Sequence, residues 1–147
     1  MKFILKENKE LSLTVTVEYP LYDSRVESLV RKLKGMDDFI TGYENNRAIP
    51  IPVSEIYYAE SVDGRTFLYT EQGVFGTDKS LKQLEPQLKS HHIIRISRTC
   101  LLNIDVLSSM VNLANSKLEA TLINGERLIV SRTYLRSIRR LLEEDAE

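Results

Sequence analysis

The chain has 147 residues, 42% of them hydrophobic and 28% charged, with a formal charge of −1; this is the balance of one globular domain with a small appendage, not of a disordered chain. A single cysteine, Cys100, excludes an internal disulfide and fits a reducing compartment. No run approaches the roughly 20 apolar residues of a membrane span, and residues 1–11 mix Lys and Glu with apolar residues instead of forming a secretory signal, so a cytoplasmic protein is expected.

Residues 11–17 alternate Leu, Ser, Leu, Thr, Val, Thr, Val, the period-2 signature of a half-buried strand that Pro20 ends. Asp23 and Ser24 then open a helix, Ser24 with Glu27 having capping-box spacing. Val26, Leu29, Val30, Leu33 and Met36 share its apolar face, and Gly35 suits a C-terminus with positive φ. This β–α unit, within an N-terminal extension over 1–46, is too small to be stable alone and should pack on the β-rich remainder of the chain.

Beyond Asp38 the character changes to short β-rich runs at 39–43, 47–52, 56–62, 66–70 and 74–77, separated by the turn formers Asn45-Asn46, Asp63-Gly64 and Gln72-Gly73. A short helix at 80–88 carries Leu81, Leu84 and Leu88 on one side, with Pro86 limiting its regularity. Strands resume at 93–96, about Leu101, at 106–113 and at 117–122. Asn124-Gly125 predicts a two-residue hairpin turn into 127–130, after which Ser131 caps a final helix with Tyr134, Leu135, Ile138, Leu141 and Leu142 facing inward. Such spacing predicts a mostly β, α+β fold, a sandwich or barrel of short antiparallel strands with few short helices.

The net charge conceals a gradient. Residues 1–46 carry 7 basic against 8 acidic side chains and residues 47–90 carry 5 against 6, whereas 91–142 carry 8 against 3, a net of +5; an acidic tail at 143–147 adds 4 acids. The basic surplus therefore sits in the last third, where it could face phosphates.

No catalytic set emerges. Cys100 would need a positioned base, and the two histidines, His91 and His92, are neighbours that point to opposite faces of an extended segment. Two adjacent His and one Cys are too few zinc ligands at the wrong spacing, and no Gly-rich phosphate loop exists. Neither an enzyme nor a cofactor is expected.

Three polar–basic clusters stand at element ends instead. Ser61-Val-Asp-Gly-Arg-Thr66 is a tight turn expected to lift Arg65 and Thr66 off the sheet; Arg95-Ile-Ser-Arg-Thr99 turns Ile96 inward and exposes Ser97, Arg98 and Thr99; Val130-Ser-Arg-Thr-Tyr134 places Arg132 in the first turn of a helix. A cation there opposes the helix dipole, which hints at use elsewhere. Arg can read guanine with its fork, while Ser and Thr donate to phosphates or bases.

With those clusters in order, the chain resembles the LytTR family of bacterial DNA-binding regulators. The resemblance rests on Ile56-Tyr-Tyr-Ala-Glu-Ser61, Lys79-Ser-Leu-Lys-Gln-Leu-Glu85, Ile94-Arg-Ile-Ser-Arg-Thr-Cys-Leu-Leu-Asn103 and Asn124-Gly-Glu-Arg-Leu-Ile-Val-Ser-Arg-Thr-Tyr-Leu135, and runs over 47–142. It implies an elongated β domain that inserts loops, not a recognition helix, into successive major grooves of double-stranded DNA at paired direct repeats, with a homodimer at least on DNA. Base reading would fall to Thr66, Arg98 and Arg132; Arg65, Lys79, Ser97, Thr99 and Ser131 would contact phosphates or support the readers; Asn103 would be structural. The segment 1–46 is too short for a receiver domain, so the resemblance is to stand-alone members, a group associated with small membrane proteins that restrain them. Two other readings stay open: a β-rich protein-interaction module regulating a membrane partner, and single-strand binding through Tyr57, Tyr58, Phe67 and Tyr69.

Overall fold

The computed structural model describes residues 1–115 and 117–145, the side chains of 143–145 excepted. Helix α1 (Ser24–Met36) precedes strands β1 (Phe39–Glu44), β2 (Arg47–Pro52), β3 (Ile56–Val62), β4 (Arg65–Thr70) and β5 (Gly73–Thr77). Helix α2 (Leu81–Lys89) follows, then β6 (Ile93–Ser97), β7 (Cys100–Asn103), β8 (Leu107–Asn112), β9 (Leu118–Leu122), β10 (Arg127–Val130) and α3 (Leu135–Asp145). Short 3-10 turns at Val53–Glu55, Ile104–Val106 and Arg132–Tyr134 join elements.

Two antiparallel sheets form, one of order β2-β1-β5-β4-β3-β7-β6 and one of order β10-β9-β8. The larger sheet has two covered faces. On one, Leu81, Leu84 and Leu88 of α2 pack on Ile56, Ala59, Leu68, Ile93 and Leu101. On the other, Leu118, Ala120 and Leu122 of β9, Val130 of β10 and Ile138 of α3 pack on Tyr58, Ile94, Ile96, Cys100 and Leu102. Period-2 alternation sorts β6 and β7 between these layers, so the expected sandwich of short antiparallel strands is what forms. In β3 a register shift between Ile56 and Tyr58 turns the consecutive Tyr57 and Tyr58 to the same layer. Burial of a leucine-sized side chain contributes about 1.5–3 kcal/mol, which makes the two layers the main source of stability.

Turn chemistry sets the hairpins. Asn45 and Asn46 (φ 50° and 64°) and Asp63 and Gly64 (φ 52° and 76°) take the left-handed pair that matches strand twist. The capping box of α2 is made by Ser80 and Gln83: Gln83 N donates to Ser80 Oγ at 3.2 Å and Ser80 N to Gln83 Oε1 at 2.9 Å. The helix continues through Pro86 to Lys89.

Several expectations are corrected. Residues 11–17 form no strand: Leu11, Leu13 and Val15 are exposed, because a strand needs a partner and no neighbouring edge pairs with this segment among the described residues. The N-cap of α1 is Asp23, whose Oδ1 accepts from Arg25 N and Val26 N at 3.1 Å each, not Ser24. Gly35 lies inside the helix and takes no positive φ; a Cβ there would meet Ser54 and His91 at an ordinary contact distance of 3.5 Å. Residues 123–126 connect β9 to β10 with only Gly125 at positive φ (89°), a turn plus a left-handed residue in place of the two-residue turn. Ser131 makes no side-chain cap, and Arg132 sits in a 3-10 turn ahead of α3. Of the acidic tail, 143–145 complete α3, and Ala146 and Glu147 lie outside the described residues.

The extension is tied to the sheets. Strand β1 lies within 1–46 yet pairs with β2 along its whole length. Helix α1 packs on the turn at Val53–Glu55 and on α3, and its Arg31 is buried against Asp105.

Candidate nucleic-acid interface

Register brings the clusters to one end of the large sheet. Ser61 pairs with Thr66 and Thr66 with Thr77, while Glu60 pairs with Cys100. The β3–β4 turn, the end of β5 and the β6–β7 turn therefore leave the sheet side by side, carrying Arg65, Lys79 and Arg98, all exposed. Tyr43 pairs with Gly76, which adds the β1–β2 tip and its exposed Arg47 to the same end. Glu44, Asp63 and Asp78 also stand there, so charge along it is mixed.

Arg98 and Thr99 are the two residues of the β6–β7 turn, closed by the Ser97–Cys100 pair. Arg95 braces it from behind: Nη1 donates to the Arg98 carbonyl at 2.7 Å and the Ser97 carbonyl at 3.3 Å, while Nε and Nη2 hold Glu85 Oε2 at 3.2 and 3.0 Å. Thr99 N donates to Ser97 Oγ at 3.2 Å, and Ser61 N donates to the Thr99 carbonyl at 2.8 Å. With the Ser97, Arg98 and Thr99 carbonyls and the Thr99 amide engaged, the tip presents the Arg98 side chain from a held backbone, the preorganisation that recognition needs.

The third cluster joins the second through one bond. Ser131 N donates to the Ile96 carbonyl at 2.7 Å, which docks the β10 corner beside the β6–β7 tip. A depression of about 590 Å³ forms between them, lined by Ser97, Thr99, Ser131, Arg132, Lys117 and Glu60 among others. Arg132 is exposed on its rim and also lines a second groove of about 500 Å³ with Leu135, Arg136, Arg139 and Arg140.

Thr66 is the exception among the expected contacts. It is 6% exposed, held between β3 and β5 in the interior of the sheet, so the turn lifts Arg65 outward but not Thr66. A side chain so placed has no surface to offer a base. Arg95, Arg136, Arg139 and Arg140 are the residues that sequence reasoning did not single out. The recurrence of Arg at 132, 136, 139 and 140, opposite the buried Ile138, was the available signal for the last three.

Burial, with the Glu60 charge adding to it, pushes the Cys100 thiol up to about 12, so it stays protonated at neutral pH. His91 lies against Asp38 at 2.9 Å, away from Cys100. Among the described residues no group of three or more His, Cys, Asp or Glu could hold a metal. Tyr57 and Tyr58 are buried, and Tyr58 stacks on Tyr69 with centroids 4.2 Å apart, which removes most of the stacking platform that single-strand binding would require. No helix among the described residues is long and apolar enough to cross a membrane.

Comparison with known proteins agrees with this geometry. Residues 46–143 match the LytTr DNA-binding domain family. The chain is similar to the sensory transduction protein LytT of Bacillus anthracis, at 25% identity over 150 residues covering 97% of this chain and 60% of that one. It is also similar to the sensory transduction protein LytR of Streptococcus mutans, at 23% identity over 112 residues, 76% of this chain and 46% of that one. The chain thus spans about 60% or less of the length of these relatives. A solved LytTr DNA-binding domain from Bacillus cereus superposes with a TM-score of 0.66 at 28% identity, covering 71% of this chain and 95% of that chain. With the family matched over most of its length, the chain belongs to the LytTR family of DNA-binding domains.

Proposed function

We propose that the chain is a transcription regulator that binds double-stranded DNA in a sequence-specific way, reading major grooves through the β6–β7 tip and the β10 corner. The observation that carries this reading is the Ser131–Ile96 backbone bond of 2.7 Å, which joins two separately encoded basic clusters into one surface. Arg98 and Arg132 are the base readers, each able to take guanine bidentately. Arg65, Lys79, Ser97, Thr99 and Ser131 position the protein on phosphates and sugars or support the readers. Two protomers occupy adjacent direct repeats.

Selection of bound sequences from a random duplex library tests the reading and yields the site together. Recovery of a repeated motif with two half-sites on one face of the duplex supports it. A library that emerges unenriched would leave the basic end as a protein-docking patch, the rival reading.

A further inference from the structure

The arginine groove on α3 is not accounted for by loop readout. Arg132, Arg136, Arg139 and Arg140 follow one another at steps of four, three and one along the turn and helix, and with Leu135 they line one groove of about 500 Å³. Ile138, from the same helix, is fully buried against the sheets, so the arginines occupy the outward side. Arg136, Arg139 and Arg140 are exposed, and none forms an ion pair with another described side chain. Four cations lining one groove make a positive surface that an anionic partner fits.

The groove is continuous with the reading surface, because Arg132 lines both it and the depression at the β6–β7 tip. We infer that α3 is a phosphate-binding arm: Arg136, Arg139 and Arg140 hold the sugar–phosphate backbone next to the groove that Arg132 enters, extending the DNA footprint beyond the loops without reading sequence. The inference rests on the proposed duplex binding and names the further surface that binding uses. From Arg132 to Arg140 a helix advances about 12 Å, and one strand of a duplex carries a phosphate per about 3.4 Å of axis, so roughly three or four phosphates of that strand lie along the row. Guanidinium groups suit phosphate oxygens, each side chain donating to one or two of them. A helix in this role lies along the backbone and does not enter the major groove.

The test is anisotropy titration of the full chain on its selected duplex and on random duplex at several salt concentrations. The R136Q/R139Q/R140Q triple variant is compared with wild type and with R136K/R139K/R140K. Each lost phosphate contact flattens the salt dependence by about 0.9 in log–log slope, so the Gln variant should be shallower by about 2–3 on both duplexes. Affinity falls by the same factor on each, the specificity ratio is kept, and the Lys variant retains most of the wild-type slope. An unchanged slope in the Gln variant, with wild type still preferring its site, overturns the arm and leaves loop readout standing. Loss of the specificity ratio in both triple variants alike would assign α3 a structural role and likewise overturn it. Wild type without any duplex binding would sink both readings.

Discussion

Arg31 of α1 donates from Nη2 to Asp105 Oδ1 at 2.9 Å, with only 7% of the Arg31 side chain exposed. This pair bridges 74 positions of sequence and fastens the N-terminal helix to the turn that follows β7. Taking one member from a buried pair leaves a charge with poor solvation, which typically costs 3–5 kcal/mol. Asp105 keeps some water contact, so Arg31→Met should destabilise by about 2–3 kcal/mol, just below that range. Urea unfolding at neutral pH measures it. A loss below about 0.5 kcal/mol, the level of an exposed pair, would show that α1 is not held this way.

Truncation separates the contribution of residues 1–20 from that of helix α1. Residues 1–20 make no strand pairing, so a chain beginning at Leu21 should unfold at the wild-type temperature. Beginning instead at Phe39 removes α1 with Arg31, uncovers the Val53–Glu55 turn and should lower the melting temperature by several degrees. Equal melting of all three chains by calorimetry would contradict the docking of α1.

Asn103 locks the end of β7. Its Nδ2 donates to the Ile56 carbonyl at 2.8 Å and its Oδ1 accepts from Asp105 N at 2.9 Å, with the residue 5% exposed. Asn103→Ala strands both partners, and an unsatisfied buried group costs about 1–3 kcal/mol. The expected result is a fall of that size in unfolding free energy with specific DNA preference kept. Near-neutral stability would mean that water replaces the amide.

Acid should loosen the junction of β1 and α2. Partial burial works to raise the Asp38 carboxyl, but hydrogen bonds from His91 and Gln87 and the His91 charge outweigh it and hold Asp38 below its usual 3.8. With the folded value depressed, the contribution is complete above about 3.8 and is lost as pH falls through the folded value. Asp38→Asn should flatten the stability profile below pH 4. Parallel profiles for wild type and variant across that window would remove Asp38 from the acid response.

Much of the fold was legible because local chemistry and pairing agree. Asn45-Asn46 and Asp63-Gly64 demand left-handed turns, and the runs that flank them alternate in step with the observed register. The spacing of Leu81, Leu84 and Leu88 marked α2 the same way. Where the outcome depended on a distant partner, the sequence was silent. Residues 11–17 carry as good an alternation as β9, yet only β9 finds neighbours on both sides. Thr66 read as a turn residue because nothing local reveals that β4 is an interior strand flanked by β3 and β5. Arg98 was recognisable from its motif, whereas the brace from Arg95 depends on Glu85 arriving ten residues earlier on α2. The α3 arginines recur at helical spacing in the sequence, but their link to the loops through Arg132 is visible only in the fold.

The sharpest test is paired anisotropy titration of wild type, Arg98→Ala and Arg132→Ala on the selected duplex and on random duplex at one moderate salt concentration. Each substitution should cost about 1–3 kcal/mol on the selected site, relax preference at a single base position and change random-duplex binding far less. Wild type binding both duplexes equally, or both variants keeping the full wild-type preference, would contradict base reading by the joined β6–β7 tip and β10 corner.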